Sequence, residues 1–89
     1  MENIWIDIAQ DSTINESARA CANTLWSMVS AVDSLNGAKE MFEDVARGED
    51  NPFSEQYNKY INSINNMVAD IESDIKIMTE RYNEALYEE

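Results

Sequence analysis

The side chains able to do chemistry in this chain are mostly carboxylates, and their spacing gives them little to do. Glu40, Glu43 and Asp44 form one cluster, and Asp70, Glu72 and Asp74 another. A shared cation needs converging ligands, and although Glu40 can approach Glu43 or Asp44, and Asp70 can approach Asp74, the members one or two apart on a helix point in different directions, so all three do not converge. Both clusters therefore read as solvated faces. The chain has no histidine, which removes the commonest general base and metal ligand; a histidine-type phosphotransfer helix is excluded with it. No glycine loop that could cradle a phosphate is present, and no serine or cysteine nucleophile stands beside a base. Cys21 is the lone cysteine. It sits at helical core spacing and is expected to be a buried, inert thiol. Tyr57, Tyr60, Tyr82, Tyr87 and the five methionines could line a ligand groove, but at this spacing they belong to core and interface. The expectation is a protein that is not an enzyme, with no catalytic, cofactor or metal site.

One tripeptide pulls the other way. Asp33-Ser34-Leu35 resembles the site at which acyl carrier proteins bear phosphopantetheine, and acidity and length also fit that family. Carrier proteins place that serine at the opening of a helix, after a long loop. Here an apolar stripe runs unbroken from residue 14 to 35, with no Gly or Pro before Ser34. A phosphopantetheine arm on Ser34 is therefore the lesser reading.

The elements that must carry these residues follow from composition. The chain has 89 residues, 44% of them hydrophobic, with two Gly and one Pro. That is one domain, too apolar to be disordered and with few places to turn. Long helices are the consequence. Two helices side by side each bury one stripe, so apolar surface is left for a helical partner, identical or different. The net charge of −12 repels phosphates and argues against nucleic acid and anionic membranes. An acidic surface could also imitate DNA, but acidic residues that keep a protein soluble are the simpler reading. No apolar run is long enough to insert into a bilayer. The stretch Met1-Glu2-Asn3-Ile4-Trp5 has neither a basic region nor a small-residue cleavage site, so no Sec-type signal peptide is expected.

Residues 1–11 read as a short lead-in, extended or irregular, because Ile4, Ile6 and Ile8 alternate with Trp5 and Asp7. Thr13 and Glu16 have capping-box spacing, so the first helix is placed at 12–47. Its apolar stripe is Ile14, Ala18, Cys21, Leu25, Met28, Val32 and Leu35, in alternating steps of four and three, resuming at Phe42 and Val45. Ala22, Trp26 and Val29 widen the face. Asn36-Gly37 reads either as a turn ending this helix or as an interior pair that kinks it. The continuing stripe favours the interior reading. The turn is placed at 48–51, with Gly48 after the first helix, Asn51 as N-cap and Pro52 at the first position of the second helix. That helix, 52–88, carries Phe53, Tyr57, Tyr60, Ile64, Met67, Ile71, Ile75, Met78, Tyr82 and Leu86, flanked by Ile61 and Val68. The fold expected is all-α: an antiparallel two-helix hairpin that completes a four-helix bundle with a second hairpin.

Two matched helices joined by a short turn resemble the small WXG-type proteins of bacterial type VII secretion, including those that pair with a toxin's helical N-terminal domain. The likeness covers nearly the whole chain as architecture, with a degraded motif. Gly48 stands in the turn and Phe53, Tyr57 and Tyr60 open the second helix, but Val45, Ala46 and Arg47 stand where a tryptophan is expected. The family's export pattern is a hydrophobic residue, an acid four residues on, and hydrophobic residues seven and eleven on. Val68, Glu72 and Ile75 satisfy three of these, and Thr79 breaks the fourth. Tyr82 has Leu86, not an acid, four residues later. The resemblance implies a homodimer or a heterodimer with a toxin, and a secreted substrate or a targeting partner and chaperone. It implies synthesis in the cytoplasm and export by a non-Sec route, with Gly48, Phe53 and residues 68–75 most at stake. A helical adaptor or regulator that stays in the cytosol, of the kind phages also carry, is the alternative reading.

Overall fold

Apolar residues spaced three and four apart, with few Gly or Pro between them, leave the backbone one economical solution, and the computed structural model adopts it. The structure describes residues 3–47 and 52–88. Among them the regular elements are helical: α1 (Trp5–Ala9), α2 (Glu16–Ala46) and α3 (Ser54–Leu86). The helices α2 and α3 pack along each other as an antiparallel hairpin. Asn15 and Ala85 meet at its open end, while Phe42 meets Tyr57 and Tyr60 near the turn.

The seam between them is narrower than the apolar stripes. On α2 the buried residues are Ala18, Ala22, Leu25, Val29 and Val32. On α3 they are Ile64, Val68, Tyr82 and Ala85, with half-buried Tyr57, Ile61, Ile71, Ile75 and Met78 completing the rhythm of four and three. So Ala22, Val29, Ile61 and Val68, read from the sequence as flanks, lie in or beside the seam. Cys21, Met28, Leu35 and Phe42 are only half-buried, and Tyr60 and Met67 are exposed. Ile14 is half-buried against the open-end core.

Residues 5–9, expected in an extended or irregular lead-in, form one helical turn. An alternating apolar pattern suits a strand only where a second strand can pair with it. With none here, the backbone bonds locally, and Trp5, Ile8 and Ala9 pack on the cluster of Ala18, Ala22, Leu25, Tyr82 and Ala85. Trp5 meets Tyr82 edge to face, with ring centroids 5.0 Å apart. The Asn3 side chain fixes the approach by donating to the Trp26 carbonyl (2.9 Å) and to Ser30 Oγ (3.2 Å).

The start of α2 also falls later than expected, at Glu16 behind Asn15 and not at Thr13. Thr13 is occupied elsewhere: its N–H and hydroxyl both donate to Asp11 Oδ1, at 2.9 and 2.6 Å. Asn15 Oδ1 accepts from the Ala18 N–H at 2.8 Å, as an N-cap should. Its Nδ2 donates at 2.8 Å to the Ala85 carbonyl, which also accepts from the Glu88 N–H at 3.2 Å. A single amide thus caps the start of one helix and ties it to the end of the other.

α2 continues through Asn36-Gly37 without interruption, and a Cβ added at Gly37 would meet nothing within 4 Å. The glycine is simply an exposed interior residue. Pro52 and Phe53 precede the first turn of α3 instead of belonging to it, and Phe53 at the cap position makes no side-chain cap bond. Gly48 and Asn51, assigned to the turn from sequence, lie outside the described residues.

Candidate partner-binding face

A hairpin has two broad faces, and this one covers them unequally. At the open end α1 lies over one face, beside Trp26, Ser30 and Tyr82. The other face bears a shallow groove lined by Thr24, Met28, Asp74, Ile77, Met78 and Arg81. Residues seven apart stay on one side of a packed helix. Met28 therefore leads along α2 to Leu35 and Phe42, and on α3 Asp74 leads back to Met67 and Tyr60. Phe42 lies 5.3 Å from the Tyr60 ring, which joins the two rows near the turn.

This second face carries large apolar side chains in water: Tyr60 is 42% exposed, Met67 45% and Ile77 49%. Four positions of the expected stripe, Met28, Leu35, Phe42 and Met78, are half-buried along its floor. The sequence stripes were therefore broader than the hairpin seam because they span the seam and this open face together. Phe53, at the start of α3, is 62% exposed.

Whole-molecule dimensions agree. The protein measures 61 × 19 × 12 Å with a radius of gyration of 17.4 Å, where a compact domain of this length has about 12 Å. It exposes 6319 Å², against about 5,300 Å² for a compact monomer of this mass. One layer of two long helices has too little interior to hide both stripes.

Charge is also uneven. Between Arg19 and Asp33, α2 has no charged residue on any side, whereas in α3 the uncharged stretch is shorter, between Lys59 and Asp70, and acids and bases follow from there to Glu84. On the open side of α2 the uncharged surface runs further, from Ser17 through Thr24, Ser27 and Ala31 to Ser34, Ala38 and Met41. A helix side facing only water ordinarily carries charge.

The described carboxylates near the turn end of α2 pair with bases of their own helix. Glu43 lies 3.7 Å from Lys39 Nζ and 3.4 Å from Arg47 Nη2, and Asp44 lies 3.5 Å from Arg47 Nη1, as surface pairs within one helix. Among the described residues no three His, Cys, Asp or Glu side chains stand where they could share a metal ion. Ser34 is exposed in the interior of α2, not at the helix opening that a carrier-protein serine occupies. In the export pattern Val68 is buried and Ile75 half-buried, so Glu72 alone is fully on the surface. The Thr79 hydroxyl at the broken fourth position donates to the Ile75 carbonyl at 2.7 Å. No helix among the described residues is long and apolar enough to cross a membrane.

No protein-family model, curated protein or solved structure matches the chain.

Proposed function

We propose that the chain is a helical partner protein whose open face seats a second hairpin, closing a four-helix bundle, and that it serves type VII secretion as a substrate or as the targeting partner of a toxin's helical domain. The observation that carries the association is the face holding Met28, Leu35, Tyr60, Met67 and Ile77, to which both helices bring apolar side chains and which a layer one helix thick leaves in water. Burying it against a second hairpin removes apolar area from water at about 25 cal/mol per Å². The secretion role rests on the resemblance of the hairpin architecture and on the partial pattern Val68, Glu72 and Ile75.

The role is tested by expressing the chain in a bacterium with an intact type VII system and in one lacking its ATPase. Appearance in the medium only with the intact system is the expected result. Retention in the cytosol of both, with known substrates still exported, contradicts the secretion role and favours the cytosolic adaptor.

A further inference from the structure

We infer that the occupant of the open face is a second copy of this chain, laid antiparallel so that α2 packs on its own counterpart with the two-fold axis passing at Ala31. The inference deepens the association proposed above and rests on it.

The first ground is which helix is bare of charge. The open side of α2 has no charged residue from Ser17 to Val45, about eight helical turns, in a chain of net charge −12. On α3 the same face carries Asp74 and Arg81, while Asp33 and Glu40 of α2 lie off its open side. Solvent does not require an uncharged helix side of that length, but a seam does.

The second ground is the order of side-chain sizes. A two-fold interface must be complementary to itself, because each patch meets its own copy. Ala31 is the midpoint of the uncharged side, and reversing α2 about it sets large residues opposite small ones throughout. Met41 falls opposite Cys21, and Leu35 opposite Ser27. Met28 likewise falls opposite Ser34, and Thr24 opposite Ala38. A different partner chain would place no such condition on the order of residues within α2.

The third ground is area. The protein exposes 6319 Å², about 1,000 Å² more than a compact monomer of its mass. A standard interface buries about 800 Å² on each partner.

The test is a disulfide across the axis. In a Cys21→Ser background, Ala31→Cys is oxidised mildly, with Glu40→Cys, on the charged side of α2, as the control. Circular dichroism and light scattering on the reduced samples verify folding and mass. The expected result is a dimer in which the Ala31→Cys variant converts to covalent dimer while the Glu40→Cys control stays unlinked. A dimer that forms without linkage through position 31, or links equally through position 40, overturns the α2 seam and leaves the partner reading standing. A folded monomer in all samples, wild type included, overturns both.

Discussion

Asn15 shows how much one side chain can decide in a thin fold. Its carbonyl oxygen caps α2 and its amide N–H holds the end of α3, so Asn15→Ala removes the cap of one helix and the tie to the other at once. The expected loss is about 1–2 kcal/mol, read as a lowered midpoint in urea. Asn15→Asp separates the two roles: it keeps the cap acceptor but brings a carboxylate to the Ala85 carbonyl, and its stability should fall below wild type. Gly37 works in the opposite direction. It lies within α2 with open space where a Cβ would be, so Gly37→Ala should raise stability by about 0.5–1 kcal/mol, seen as a higher Tm. Asp11 gives a pH dependence of known sign. The Thr13 hydroxyl and then the Thr13 N–H donate to it and hold its carboxyl below the ordinary range. Its contribution is therefore present above an unfolded value of about 3.9 and is lost as pH falls through the lower folded value. Thr13→Ala should move the Asp11 titration upward in an NMR experiment.

At the scale of elements, the long helices were legible because a three-four rhythm sustained over thirty or so residues fits nothing else. The short helix α1 was not. Five residues hold barely one turn, and Ile4, Ile6 and Ile8 alternate just as a strand would; what settles the conformation is Trp5 reaching Tyr82, a contact from the far end of the chain. The cap was misplaced for a related reason: Thr13 and Glu16 have the right spacing, but Thr13 is taken up by Asp11. The division of each stripe into seam and open face was also hidden, since it depends on how the two helices cross. One signal was available, namely the absence of charge in α2 between Arg19 and Asp33. The division makes two kinds of variant distinguishable. Leu25 is fully buried in the seam, and Leu25→Ala should cost about 2–5 kcal/mol, lowering helicity and association together. Ile77 is 49% exposed on the open face, so Ile77→Asp should leave the isolated hairpin helical and weaken only its association. Circular dichroism and sedimentation on both variants check this, and loss of helix in Ile77→Asp would contradict the assignment of faces.

At the scale of the whole molecule, a 61 Å hairpin of net charge −12 has a reason to associate and a reason to stay apart. The apolar face favours association, while like charges on two copies oppose it. Salt screens the second effect far more than the first. A dimer of this chain should therefore tighten as ionic strength rises from about 0.05 to about 0.5 M, whereas a complex held by a basic partner should weaken. The mass of the purified protein in solution, taken by light scattering with a circular-dichroism spectrum on the same sample, tests most directly whether the open face is covered. A helical protein at twice the chain mass of 10.2 kDa is the expected result. A fully helical, stable species at the mass of one chain would contradict it, because the single layer would then be complete without a partner.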